Sequence, residues 1–267
     1  MSRNSSNAQN KQQLALDLRS PATHYDLIAG SQQRQLIAWT PLAKTHWHKL
    51  NVDIARDQLS AWVSEPDVFV TPNEFNGWRL IKLGDGLNAL YVDIDAHHQS
   101  TTDFSKLASA AISKIEAAQI PSPNFVVYTG RGIHLYWLID RVPFSALPRW
   151  QACQRHLVKL LDADKMSADA TRVLRVIGTT NSKTGSQVRA EMLTPKRYDF
   201  DWLADQVLPV TRAEIRDLRA ARGCKPKSTK FSDFQKYPSQ DGFQINQWTL
   251  VSEYVVPKEM QVLPCCR

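Results

Sequence analysis

The sequence predicts an α+β fold of the α/β type, a sheet flanked by helices. Three observations predict it. Apolar strand-like runs are interleaved with long stretches at helical spacing, and residues 87–139 read strand, helix, strand, strand, which fits one sheet with helices on one face. Near the middle, Leu90-Tyr91-Val92-Asp93-Ile94-Asp95 joins β-forming residues to two carboxylates at its end. An apolar content of 43% with eight Trp in 267 residues suffices for one large core with at most a small appendage.

Taken in order, residues 1–21 are rich in Ser, Asn, Gln and Lys without an apolar period and read as a flexible leader. Residues 25–29 and 35–39 are the entry into structure, and residues 51–63 have helical spacing with Ile54, Leu59 and Trp62 inward. Residues 67–71 form a strand stopped by Pro72. Residues 78–83 alternate as another strand, followed by Gly84-Asp85-Gly86 as a turn. After the aspartate strand and a polar loop over 97–102, residues 103–118 form a helix. Leu107, Ala111, Ile112 and Ile115 face its core, with Thr102 or Asp103 as cap. Residues 124–128 and 133–139 are the arms of a β-hairpin around Thr129-Gly130-Arg131-Gly132. A helix over 147–161 turns Trp150, Cys153, Leu157, Leu160 and Leu161 inward. Beyond an irregular region come a strand over 187–193 and helices over 200–207 and 211–222. From Gly223 the composition shifts to Lys, Ser, Pro and Gln, a linker leading into a tail.

A net charge of +7 and a pI near 9.3 favour polyanionic partners such as nucleic acid or nucleotides. Cys153, Cys224, Cys265 and Cys266 are too few and too badly spaced for a disulfide framework or a zinc site. No apolar run is long enough to span a membrane and no signal-peptide pattern is present, so the expected location is a reducing cytoplasm.

Chemistry concentrates in three places. Strand alternation puts Tyr91, Asp93 and Asp95 on one face and Val92 and Ile94 on the other. Neighbouring like charges are best tolerated around a cation, and hard divalent ions take one or two carboxylates together with substrate phosphates. The alternative is a strand end running into solvent. Second, the glycines of Gly130-Arg131-Gly132 let backbone approach a phosphate that Arg131 would pair, and His134 points to the same face as Tyr136. The alternative for His134 is a packed or surface histidine. Third, residues 162–185 mix Asp162, Asp164 and Asp169, which would complete a metal site, with Arg172, Arg175, Asn181 and Lys183, which suit a triphosphate. The alternative is a charged loop with structural arginines.

Together and in this order, the three places resemble the archaeo-eukaryotic primase superfamily, most closely its RepB-like plasmid and mobile-element branch. Tyr91-Val92-Asp93-Ile94-Asp95 is similar to its strand ending in Asp-x-Asp, and Gly130-Arg131-Gly132-Ile133-His134 to its turn and histidine strand. Asp164, eight residues before Arg172 in the run Arg-Val-Leu-Arg-Val-Ile-Gly-Thr-Thr-Asn, resembles its third acidic motif. The resemblance covers roughly residues 67–194. Ile177 departs from it, since relatives carry proline before the glycine.

The resemblance implies a primase core with an RRM-like mixed sheet flanked by helices. The chain would divide into a leader (1–21), a catalytic domain (22–199), a helical segment (200–222) and a linker and tail (223–267). It also implies synthesis of short primers on a single-stranded DNA template from NTPs or dNTPs by metal-dependent nucleotidyl transfer. Asp93, Asp95 and Asp164 would hold two Mg²⁺ or Mn²⁺ ions, with Asp169 the alternative third acid and Asp162 a further competitor. His134 and Arg131 would hold the nucleotide phosphates, His134 counting also among the catalytic residues, and Arg172, Arg175, Asn181 and Lys183 would assist. A separate replicative helicase would unwind the duplex. Two other classes compete. His46-Trp47-His48 fits the His-hydrophobic-His pattern of rolling-circle nucleases and relaxases, and a non-catalytic nucleic-acid-binding protein would keep the primase fold with a dead site.

Overall fold

The fold is built on two antiparallel sheets, and the larger contains the strand that carries the acids. The computed structural model describes residues 18, 20–29, 35–41, 47–50, 52–96 and 103–221. The expected linker and tail, the 97–102 loop, His46 and nearly all of the expected leader lie outside the described residues.

The larger sheet has the order β11-β6-β7-β5-β4, built from β4 (Glu74–Phe75), β5 (Gly84–Asp95), β6 (Phe125–Tyr128), β7 (Gly132–Pro143) and β11 (Arg189–Met192). The smaller has the order β2-β1-β3-β8, from β1 (Leu36–Trp39), β2 (Trp47–Leu50), β3 (Phe69–Val70) and β8 (Leu174–Arg175). A two-stranded piece pairs β9 (Thr180–Asn181) with β10 (Ser186–Gln187). The α+β class stands. The sheet expected to be mixed is antiparallel in every ladder, with parallel pairing only in the isolated bridges Pro66↔Thr180 and Ile139↔Tyr198.

The helices are α1 (Pro21–Ala29), α2 (Val52–Ala61), α3 (Phe104–Ala117), α4 (Leu147–Leu161), α5 (Phe200–Val207) and α6 (Arg212–Ala221). Asp103 is the cap of α3, its carboxylate accepting from the Ser105 and Lys106 N–H groups at 3.1 Å. In α3 Leu107, Ala108, Ala111 and Ile115 are buried, whereas Ile112 is half-buried, as is Leu160 in α4. In α2 Leu59 is buried and Trp62, just beyond its end, is half-buried. Helix α4 packs along β5 and against α3, and α5 packs on α4 and β7. The chain divides into units Met1–Val207 and Leu208–Arg267. In the second, a reciprocal capping box between Thr211 and Glu214 opens α6.

Three expectations are corrected. Residues 78–83 are no strand but bends and a 3-10 turn over Ile81–Leu83, leaving Trp78 and Leu80 exposed. Gly84-Asp85-Gly86 is no turn but the start of β5. A Cβ on Gly84 would fall 2.3 Å from the Phe144 ring, and one on Gly86 2.6 Å from Arg141, so these glycines allow close packing rather than reversal. The sheet is also not covered by helices on one face alone. On the acid-bearing face His24 of α1 packs edge-on against Phe125 and Tyr136, so β7 is buried on both faces from Gly132 to Leu138. Arg197 holds α1 there by donating to the carbonyls of Leu27 and Ile28 at its C-terminal end.

Candidate active site

Ladder register places the central pair. Asp93 stands opposite His134 and Asp95 opposite Gly132 across β5 and β7, with His134 Nε2 3.5 Å from Asp93 Oδ1. The close approach at the end of the ladder needs a glycine, because a Cβ on Gly132 would sit 2.1 Å from the Ile94 carbonyl oxygen. The hairpin turn is tied by Thr129, whose Oγ1 accepts from the Gly132 N–H at 3.1 Å, while Gly130 takes a positive φ of 82°. Burial, followed by the nearby Arg172 and Arg175, brings the His134 pKa down to about 3. His134 is therefore a neutral ring at neutral pH.

Beyond its pairing with β4 at Gly84 and Gly86, the outer edge of β5 is closed without a strand. Trp150 Nε1 donates to the Ala89 carbonyl at 2.8 Å. The Gln154 side chain accepts from the Tyr91 N–H at 3.0 Å and donates to the Tyr91 carbonyl at 2.9 Å and the Ser167 carbonyl at 2.6 Å. One step on, the Asp93 N–H donates to Ser167 Oγ at 3.0 Å and its carbonyl accepts from the Asp164 N–H at 2.8 Å. Every exposed N–H and C=O of this edge at residues 91 and 93 is thus satisfied by α4 or by the segment after it. The same contacts bring the third acidic region beside Asp93.

Arg172 links that region to the strand. Its Nη2 donates to Asp164 Oδ2 at 2.7 Å and to Asp93 Oδ2 at 3.2 Å. Burial pushes the Asp93 carboxyl pKa up, and Arg172 works against that rise. Asp164 also caps a 3-10 turn over Lys165–Ala168 by accepting from the Met166 N–H. Both Asp169 carboxylate oxygens accept from Thr171, through its hydroxyl and its N–H. Asp162 is exposed and ends α4 in the left-handed conformation, φ 52°.

A cavity of about 580 Å³ opens onto these groups. Asp93, Asp95, Arg131, His134, Asp169, Arg172, Arg175, Asn181 and Lys183 all line it; Asp162 and Asp164 do not. Besides Arg172, two more of the expected nucleotide-binding residues are engaged by the protein itself. Arg175 pairs with Asp67 at 2.7 Å, and the buried Asn181 donates to the Thr129 carbonyl at 2.7 Å and accepts from the Lys183 N–H. The sequence reading missed Gln154 and Ser167, and it missed Trp39, Trp47, Phe69 and Arg79, which line the same cavity as the acids. Polar residues in an amphipathic helix and aromatics in short strands carry no local mark of such roles.

Hard carboxylate oxygens facing a roomy cavity fit a divalent ion in their chemistry. Among the described residues, however, no three His, Cys, Asp or Glu side chains are gathered to hold an ion by themselves. The donor set therefore fits an ion held by Asp93 and Asp95 and completed by phosphate oxygens and water. His48, of the alternative His-hydrophobic-His pattern, lies against Trp62 with ring centroids 5.1 Å apart and does not line the cavity. Among the described residues no helix is long and apolar enough to cross a membrane.

No family model matches the chain. A replication protein of Clostridium perfringens is 35% identical over 143 residues, 52% of this chain and 34% of that protein. The chain thus spans about a third of the length of the curated relative it matches. It is similar in structure to the AEP domain of the cyanophage S-2L primase-polymerase, with 22% identity and a TM-score of 0.49 over 75% of this chain and 98% of that one. It is similar also to the catalytic domain of primase RepB′ in complex with initiator DNA, with 16% identity and a TM-score of 0.46 over 77% of this chain and 97% of that one.

Proposed function

We propose that the chain is a replication primase that makes short primers on single-stranded DNA by metal-dependent nucleotidyl transfer. One observation carries the reading: Asp93, Asp95 and a neutral His134 line the same cavity as Arg131, Arg172, Arg175 and Lys183. Paired acids for cations beside basic groups for phosphates are what phosphoryl chemistry requires, since its catalysis is mostly positioning and charge stabilisation. The order of the sequence motifs and the relative's description as a replication protein support it.

In this reading Asp93 and Asp95 would hold Mg²⁺ or Mn²⁺, with Asp164, now paired with Arg172, or alternatively Asp169 as the third acid. The ions, when bound, lower the pKa of the attacking 3′-hydroxyl and neutralise charge on the leaving pyrophosphate. His134 orients Asp93 without adding charge of its own. Arg131, on the glycine turn, and Lys183 bind the nucleotide phosphates; Arg175, fixed by Asp67, supplies field rather than a mobile contact. NTPs or dNTPs are the substrates. A separate helicase provides unwinding, and the setting is a plasmid or other mobile element.

The test is incorporation of labelled nucleotides on single-stranded DNA with Mg²⁺ or Mn²⁺, comparing the wild type with Asp93→Ala plus Asp95→Ala. Short labelled products that vanish in the double variant are expected. Binding of DNA without synthesis, across templates and both nucleotide types, would sink the enzymatic reading in favour of a binding protein of this fold.

A further inference from the structure

We infer that a row of aromatic side chains across the smaller sheet is the seat for the bases of a single-stranded nucleic acid. The inference deepens the proposed function by giving the template strand its contact surface. The row follows from register: Trp47 stands opposite Trp39, Trp39 opposite Phe69, and Phe69 opposite Arg175, on four adjacent strands. Ring centroids are 6.4 Å apart for Trp47 and Trp39 and 5.6 Å apart for Trp39 and Phe69.

Cations flank both ends of this row. The Arg79 guanidinium lies 4.6 Å from the Trp47 ring centre, and the Arg175 guanidinium 4.6 Å from that of Phe69. Arg79 is fixed in place by donating to the Thr171 carbonyl at 2.7 Å. The three aromatics and both arginines line the same cavity as Asp93 and Asp95. All three rings are half-buried, whereas Trp137 and Trp150 of the true core are fully buried. Three large rings held at a polar, cationic cavity are expensive to leave wet and are well suited to a flat, anionic-backed ligand.

Nucleobases match that description, because every base has a π-face and every linkage a phosphate. Length selects a strand over a mononucleotide. The row crosses two strand spacings of aromatic surface, about 10 Å from Phe69 to Trp47 at ~4.8 Å per strand, and stacked bases repeat at about 3.4 Å. The surface then continues: Lys49 shares the Trp47 face of β2 and lies 4.6 Å from the ring centre of Trp78, which is 47% exposed.

The experiment is fluorescence anisotropy with a labelled oligothymidylate of about 12 nucleotides and with an abasic oligonucleotide of the same length, at one salt concentration. For Trp47→Leu, affinity for the oligothymidylate falls by about 5- to 100-fold, as expected for lost stacking, and affinity for the abasic strand stays the same. Trp47→Phe, which keeps an aromatic face, restores most of the loss. Equal losses on both oligonucleotides, or no loss on either, overturn the inference. So does a loss confined to a nucleoside triphosphate titrated alone with strand binding intact. Because binding is read without synthesis, base-dependent binding in a protein that makes no primer counts against the proposed function alone. Primer synthesis that survives without base-dependent binding counts against the row alone.

Discussion

Arg172 Nη2 stands 3.2 Å from the carboxylate of Asp93, so the charge on an acid that lines the cavity is balanced from within the chain. In the proposed reading, that guanidinium stands in for the divalent ion that would bind with substrate.

Arg172→Gln should therefore leave Asp93 and Asp164 facing each other without compensation. In a chelator the variant should lose about 1–3 kcal/mol of unfolding free energy, less than the roughly 3–5 kcal/mol for breaking a fully buried pair because the partners are partly exposed. Millimolar Mn²⁺ should recover part of that loss and should stabilise the variant more than the wild type. Urea unfolding with EDTA and with Mn²⁺ measures both. An ion response no larger than that of the wild type would separate the guanidinium's place from the ion's.

Gln154→Leu should cost more than its modest change of shape suggests. The substitution keeps volume but strands the Tyr91 N–H and carbonyl and the Ser167 carbonyl in a buried place. A loss of about 2–4 kcal/mol is expected from leaving these groups unsatisfied. Equilibrium urea denaturation reads it, and a loss below about 1 kcal/mol would show that the edge finds other partners.

His24 should make the fold acid-sensitive. Its buried Nδ1 accepts from the Ile177 N–H at 3.0 Å, so a second ring proton would set two donors against each other. Burial, with His134 nearby, brings its pKa from 6.5 down to about 3. Between those values the unfolded chain binds the proton that the folded chain refuses, so stability falls as pH drops through that window. His24→Gln should flatten the slope of stability against pH by up to about 1.4 kcal/mol per pH unit. Denaturant unfolding at pH 7, 6 and 5 checks it. An unchanged slope would mean that other groups carry the acid response.

Much of the larger sheet and of its acid pair was legible because the signals are local. Alternation in residues 90–95 and the glycine turn before Ile133 fix which side chains share a face and where the β6–β7 hairpin turns, whereas the ladder that sets Asp93 opposite His134 pairs strands separated by a helix and β6. Helix α4 was readable from end to end for the same reason, its apolar positions repeating at helical spacing. The smaller sheet was not. Trp39 meets Trp47 and Phe69 only through pairings of four- and two-residue strands that no short-range pattern announces. Gly84 and Gly86 misled because a glycine that makes room for Phe144 or Arg141 looks in sequence like one that makes a turn. The roles of Asp164 and Asp169 differ through their neighbours, Arg172 for one and Thr171 for the other, and spacing alone does not rank them.

The stretch of β5 beyond its pairing with β4 has a consequence for self-association. Where a longer edge strand would continue, a glutamine side chain and a short segment leaning on Asp93 stand in its place. Were that segment to lift, the backbone at Tyr91 and Asp93 would become an open template for a second chain, the usual route to edge-to-edge aggregation. The same movement would carry Asp164 and Arg172 away from Asp93. Dismantling of the acid cluster and the onset of clumping are thus one event, and the contacts of Gln154 guard against both.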